Sequence, residues 1–189
     1  MIPTLIRLDD CPPQPWKNGL GRTRELAVHP PAAGATDFVW RVSVAEVDSA
    51  APFSLFAGID RYIALLDGAG FAMTLDGGTV HELRTPFEPF AFAGEAQVAV
   101  ALAGGATRDF NLMVRRSQAR GELRVCRAAG ALAMAPSVVL VFCARGQIDT
   151  DAGVLRPGDA WRPATPGTGN VSLRPDSVAL VVHIQPCEG

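Results

Sequence analysis

The sequence contains few of the residues from which metal centres are built. Its three histidines are His29, His81 and His183, and none lies two to four residues from another. No strand or helical turn therefore pre-arranges a pair of ligands. A three-histidine site assembled from distant strands is the alternative, but we expect no metal and no cofactor. The four cysteines form no Cys-x-x-Cys pair, which favours reduced thiols.

The motifs of common catalytic and phosphate-binding sites are also missing. The sequence has no Gly-x-Ser-x-Gly motif, and its paired glycines are not followed by helical patterns. Nothing in the sequence therefore indicates a serine nucleophile or a loop that cradles phosphate.

Long apolar runs and one-sided charge are absent as well. No stretch reaches the roughly 18 uncharged apolar residues of a spanning helix, and residues 1–10 lack the apolar core of a signal peptide. The net charge is -2, the pI is about 5.9, and no basic stripe occurs. We expect neither a membrane nor a nucleic acid as partner, and a cytoplasmic location. With 48% hydrophobic and 19% charged residues, the 189-residue chain is globular and long enough for one large domain or two small ones.

The dominant pattern is short apolar runs separated by 15 prolines and 19 glycines. Runs of this length, with turn signals every 8–12 residues, predict an all-β antiparallel sandwich or barrel. The main predicted strands are 38–47, 60–66, 71–75, 79–83, 87–92, 97–102, 109–114, 123–126, 137–143, 154–161, 170–173 and 177–184. The order of strands and turns in the first half is weakly repeated in the second half, which suggests two related modules. The polar segment 115–121 is the candidate linker. We predict domains at 1–116 and 117–189, packed as one unit.

Several polar side chains are hard to explain as core. The stretch 16–26 combines an aromatic residue, two glycines and many charges, and in strand 38–47 Arg41 and Ser43 share one face. If such groups converge, arginine would bind a small carboxylate while amides and hydroxyls orient it. The alternative is a structural network in which Arg41 and Arg61 pair with Asp109, Glu25 or Glu46. The polar set that the residues alone indicate comprises Lys17, Asn18, Arg22, Thr23, Glu25, Arg41, Ser43, Arg61 and residues 108–111.

Five segments together resemble the HutD/Ves family: Pro15–Glu25, Trp40–Ala45, a weakened match at Ala51–Ser54, Gly58–Arg61 and Arg108–Met113. The matching positions are the candidate ligand-binding residues: Trp16, Lys17, Asn18, Thr23, Glu25, Arg41, Ser43, Arg61, Asp109 and Asn111. The resemblance covers nearly the whole chain. It implies a bicupin, that is, two fused cupin-like β-barrels, without metal and associated with bacterial histidine degradation. It also implies a regulatory or ligand-sensing protein more than an enzyme. Leu20 departs from the family, which usually has glycine there, and should stiffen the loop.

Three functions follow as hypotheses. The leading one is binding of a small acidic metabolite, such as urocanate or a formylated glutamate, to limit the output of histidine breakdown. Arg61 and Arg41 would hold carboxylates, Asn18, Thr23 and Asn111 would orient the ligand, and Trp16 or Phe53 would form an apolar wall. The second is a metal-independent isomerase or hydrolase with Glu25 or Asp109 as general base. The third is a protein-interaction module. The oligomeric state is left open, a homodimer included.

Overall fold

A computed structural model describes residues 4–16, 19–30, 37–50 and 52–187. Regular structure in these ranges is β-strand, apart from one turn of 3-10 helix at Leu8–Asp10. The predicted all-β class is confirmed. No helix in the described ranges has the length and hydropathy to cross a membrane.

The strands are short, as the frequent glycines and prolines require. They are β1 (Thr4–Ile6), β2 (Pro13–Pro15), β3 (Gly21–His29), β4 (Trp40–Val47), β5 (Ile59–Asp67), β6 (Phe71–Leu75), β7 (Thr79–Leu83), β8 (Phe90–Ala93), β9 (Val98–Leu102), β10 (Thr107–Arg115), β11 (Ala119–Cys126), β12 (Gly130–Ala131), β13 (Val138–Arg145), β14 (Ile148–Thr150), β15 (Gly153–Leu155), β16 (Ala160–Arg162), β17 (Val171–Leu173) and β18 (Val178–Pro186).

The chain divides into two compact units, and the first is Pro12–Ala119. It contains a six-stranded sheet in the order β2-β3-β4-β10-β5-β8 and a three-stranded sheet in the order β7-β6-β9. Neighbouring strands in both sheets run antiparallel. Buried side chains of β5 and β6, among them Ile63, Leu65, Phe71 and Met73, form its main apolar core. Burial of these large side chains supplies the main force that holds the unit together.

The second unit takes in the segment up to Cys11 and the residues from Arg120 onward. Its five-stranded sheet has the order β1-β16-β13-β18-β11, and its four-stranded sheet the order β12-β17-β14-β15. The β-branched runs of β13 and β18 pair antiparallel, with Val141 opposite Val181. Trp161 of β16 packs with both in a buried cluster.

The predicted domain limits differ from this division in two ways. The units separate between Ala119 and Arg120, three residues later than the predicted boundary at 116/117. The segment up to Cys11 belongs to the second unit, because β1 pairs antiparallel with β16. β16 overlaps the strand predicted at 154–161, whereas β1 is not among the predicted strands.

Turn chemistry explains which strand predictions hold. The strands predicted at 71–75 and 79–83 are confirmed as β6 and β7. Asp76 and Gly77 join them in a hairpin, and both have positive φ, 50° and 70°. The strand predicted for 87–92 begins only at Phe90, since Phe87 has φ 64° and lies outside extended geometry. The segment predicted as the broken strand 154–161 forms β15 and β16, which belong to different sheets.

Candidate ligand site

The first unit contains a cavity of about 470 Å³, here called the Arg61 cavity after its most buried cation. Cavities of this size suit small metabolites. Seven of the ten predicted site residues line it, namely Trp16, Thr23, Arg41, Ser43, Arg61, Asp109 and Asn111. Two of the others, Lys17 and Asn18, lie outside the described residues. The last, Glu25, does not line the cavity but pairs with a residue that does.

Strand register brings the polar residues together. The central strand β10 lies between β4 and β5, and Asn111 is opposite Ser43 on β4. Met113 faces Arg41 on one side and Arg61 on the other. Residues two apart on a strand share a face, so three neighbouring strands present one polar surface to the cavity.

Arg61 is a buried cation with one donor unused. The residue is 7% exposed, and its guanidinium carbon lies 4.9, 5.5 and 4.8 Å from the ring centroids of Phe53, Phe56 and Phe92. Nη1 donates to the carbonyl oxygen of Ser54 at 3.3 Å, whereas Nε is buried and has no partner. Burial lowers the pKa of Arg61 to about 10, against the attraction of the Asp109 carboxylate, so the side chain is cationic at neutral pH. The rings favour a cation electrostatically and leave its hydrogen-bond donors available.

Asp109 is a buried carboxyl group with one oxygen unused. Its Oδ2 accepts a hydrogen bond from Nδ2 of Asn111, and its Oδ1 is buried without a partner. Burial raises the pKa of Asp109 to about 7, although the Asn111 hydrogen bond and the charge of Arg61 both oppose that rise. A buried carboxyl group of this kind changes protonation state near neutral pH.

Arg41 is held by an ion pair behind the cavity wall. Its Nε donates to Oε2 of Glu25 at 2.7 Å, across the antiparallel β3–β4 pair. The structural-network alternative therefore holds for Arg41. The charge of Asp109 also acts on Arg61. Two cations, Arg41 and Arg61, thus stand with two acidic residues, Glu25 and Asp109.

The start of the glycine-containing stretch forms one rim of the cavity. Nε1 of Trp16 donates to Oγ1 of Thr23 at 2.8 Å, and the backbone N–H of Trp16 donates to the carbonyl of Gly21 at 2.9 Å. A Cβ at Gly21 would lie 2.6 Å from the carbonyl oxygen of Glu46 and 3.0 Å from the Trp16 ring. Glycine is therefore needed at position 21, because a side chain there would prevent the close approach of β4 and of the Trp16 ring. The backbone carbonyl of Leu20, which replaces the family glycine, accepts from the N–H of Asp48 at 3.2 Å.

Sequence reasoning missed several lining residues. These are Gln14, Pro15, Ala45, Val47, Pro52, Ser54, Phe56 and Met113. The alternation of β10 could have indicated Met113, since it lies two residues beyond Asn111. Residues 52–56 are irregular, so no periodicity indicates that they line a cavity. Phe53, expected as an apolar wall, does line it.

The cavity offers hydrogen-bond donors and apolar rings and no set of metal ligands. In the described ranges no group of three or more His, Cys, Asp and Glu side chains could hold a metal ion. His183 instead hydrogen-bonds Ser137 at 2.9 Å, and His81 stacks on Phe90 at 3.7 Å between ring centroids. The unused Nε–H of Arg61 suits an acceptor such as a carboxylate oxygen.

Comparison with known proteins decides the family. The sequence model of HutD matches residues 8–180. The chain belongs to the HutD family. It is 39% identical over 145 residues to an uncharacterized 21.2 kDa protein in the hutC 3′ region of Pseudomonas putida, covering 77% of this chain and 75% of that protein. It is also 34% identical over 148 residues to protein Ves of Citrobacter koseri, covering 77% of this chain and 76% of that protein. The predicted HutD/Ves relationship is confirmed.

Solved structures give the same family and extend the fold. The structure of HutD from Pseudomonas fluorescens, determined in the formate condition, is 29% identical with a TM-score of 0.86, over 98% of this chain and all of that one. A cupin 2 conserved barrel domain protein from Leptotrichia buccalis is 10% identical with a TM-score of 0.61, over 96% of each chain. At that identity the likeness shows the fold alone. This HutD family member has a cupin-like fold, as the sequence predicts.

Proposed function

We propose that this protein binds a small carboxylic acid in the Arg61 cavity and acts as a cytoplasmic sensor in histidine breakdown. The observation that carries the proposal is the buried guanidinium of Arg61, a residue that lines the cavity and whose Nε has no hydrogen-bond partner. A buried donor left unsatisfied is unfavourable by about 1–3 kcal/mol, and a ligand oxygen would remove that penalty.

The rest of the cavity suits a short ligand with both polar and apolar parts. Phe53, Phe56 and Met113 offer apolar surface, while Ser43 and Thr23 offer hydroxyl groups. Urocanate and formylated glutamate combine a carboxylate with less polar parts and are small enough for such a site. The proposal of a role in histidine breakdown is supported by the P. putida relative, which is named for its position in the hutC 3′ region.

Calorimetric titration with N-formyl-L-glutamate, urocanate and formate tests binding directly. We expect saturable heat from at least one acid at millimolar concentration or below. Replacing Arg61 by methionine should weaken that binding about tenfold to about a hundredfold, because a hydrogen bond to a charged group contributes about 1.5–3 kcal/mol. The variant Arg61→Lys keeps the charge but lacks the Nε–H, so it should also bind the acid more weakly.

The control is Arg84→Met. Arg84 is an exposed arginine of the same unit whose ion pair with Glu82 lies away from the cavity, so its loss should leave affinity unchanged. Equal affinity in the folded Arg61 variants would remove Arg61 from the site. The absence of heat from all three acids would refute the proposed function.

One observation favours the second function, a metal-independent isomerase or hydrolase. A carboxyl group with a pKa of about 7, as in Asp109, is suited to transfer protons at neutral pH. Incubation of the same acids with the protein, followed by chromatography of the products, separates the two functions. Turnover that disappears in Asp109→Asn would establish catalysis, and unchanged acids would leave binding alone.

A further inference from the structure

The Arg61 cavity has a charge balance that does not suit a free carboxylate. Arg41 is neutralised by Glu25, and Arg61 lies near Asp109. An ionised Asp109 has only acceptor oxygens, and its Oδ1 is buried with no hydrogen-bond partner, in a residue that lines the cavity. A carboxylate ligand is also an acceptor only, so the two groups would repel each other.

One added proton removes this conflict. Protonated Asp109 keeps Oδ2 as the acceptor for the Asn111 amide and makes Oδ1 a donor. The Oδ1–H of Asp109 and the Nε–H of Arg61 are then two donors without partners inside the protein, and both belong to residues that line the same cavity.

Resting on the proposed function, we propose that the cavity binds a carboxylate together with one proton, which is taken from solvent and held on Asp109. The ligand carboxylate stays ionised and accepts hydrogen bonds from Asp109 and Arg61. Because Asp109 must be protonated for a carboxylate to bind, the affinity of the site for carboxylates falls as the pH rises.

The groups that face Asp109 support this assignment. Asp109 lies opposite Leu65 on β5 and Ala45 on β4, which are apolar and nearly excluded from solvent. On the neighbouring strands, the charged side chains that line the cavity or pair with a lining residue are Arg61 on β5 and the Arg41–Glu25 pair on β4 and β3. The lining segments 14–16 and 52–56 contain no ionisable side chain.

Asp109 changes its protonation state in the pH range in which binding would be measured. Burial already places the pKa of Asp109 at about 7 without a ligand. The negative charge of a bound carboxylate raises the pKa of Asp109 further, so ligand binding favours uptake of a proton by Asp109.

A ligand that offers an N–H would use Asp109 differently. An ionised Asp109 would accept that N–H through Oδ1, and binding would need no proton. N-formyl-L-glutamate has an N–H group and glutarate does not, although both are dicarboxylates whose own carboxyl groups stay ionised above about pH 6. The pair of acids therefore separates the two uses of the same oxygen.

The test is calorimetric titration of the full chain with glutarate and with N-formyl-L-glutamate, in phosphate and in Tris buffers. Because the two buffers have different heats of ionisation, the difference in observed heat counts the protons taken up. We expect close to one proton per acid above about pH 8, and an affinity that falls about tenfold per pH unit there. Asp109→Asn keeps a neutral donor and should bind without proton uptake, at an affinity that does not change between about pH 6 and about pH 9.

Each outcome bears on the proposal. Binding of both acids without proton uptake in wild-type protein would overturn this inference and leave the proposed function intact. If N-formyl-L-glutamate binds without proton uptake and glutarate does not, Asp109 acts as an acceptor for the ligand N–H. That result would also overturn the inference. Failure of both acids to bind at about pH 6 would overturn the inference, and the proposed function falls with it only if urocanate and formate also give no heat. If Asp109→Asn does not fold, infrared detection of a protonated carboxyl band on ligand addition to wild-type protein decides the question.

Discussion

The burial of Asp109 makes a quantitative prediction about stability without any ligand. Its pKa is raised from 3.8 to about 7, mainly by loss of hydration. Between these values the folded protein binds more protons than the unfolded chain, so the free energy of unfolding falls as pH rises. The stabilisation is fully present below pH 3.8 and is lost as pH rises through about 7. At about 1.4 kcal/mol per pKa unit, the difference corresponds to about 4 kcal/mol at most.

The perturbation that isolates this contribution is Asp109→Asn, which removes the titrating group and keeps the shape. Urea unfolding of both proteins across the pH range gives two curves, and their difference contains only Asp109. Subtraction matters because other carboxylates act with the opposite sign. Glu95, for example, has a pKa near 2 because Arg116 and the Gly58 N–H bind it, and its contribution is lost as pH falls.

We expect the wild-type protein to lose stability relative to the variant as pH rises from about 4 to about 7. The absolute stability of the variant is a separate matter, since Arg61 loses the attraction of the Asp109 carboxylate. Parallel curves for the two proteins over that interval would refute the reasoning. Asp109→Leu offers a second variant without a titrating group if the asparagine variant does not fold.

Two further predictions concern the rim of the cavity. Thr23→Val removes the acceptor of the Trp16 Nε1–H bond and should lower the free energy of unfolding by about 1 kcal/mol, with a change in tryptophan fluorescence; unchanged stability and spectrum would contradict this. Gly21→Ala would place a Cβ 2.6 Å from the carbonyl oxygen of Glu46 and should destabilise the fold by about 1–3 kcal/mol in urea unfolding. Gly78→Ala, with nothing within 4 Å of the added Cβ, is the control, and equal effects of the two changes would refute the steric account.

Sequence alone could predict the parts of the site that follow a period of two. In β4, alternation places Arg41 and Ser43 on one face, and the same rule relates Asp109 to Asn111 on β10. These positions line the cavity as a consequence. The fold class followed from the same runs and from the spacing of turn residues.

Other features depended on tertiary geometry and could not be predicted. Glu25, Glu46 and Asp109 were equal candidates as partners of Arg41, and only the β3–β4 register, with its bulge between Glu25 and Ala27, selects Glu25. The pairing of β1 with β16 joins residues 4–6 to residues 160–162, which lie far apart in the sequence, and no local pattern encodes it. The irregular segment 52–56 lines the cavity because of its tertiary packing.

The central claim is that the Arg61 cavity is a receptor for a small acid. The most direct measurement is a crystal structure of the full chain grown with saturating N-formyl-L-glutamate. We predict the acid inside the cavity, with one carboxylate oxygen within hydrogen-bond distance of Nε of Arg61. An acid bound elsewhere, or a cavity that stays without it at saturating concentration, would contradict the account.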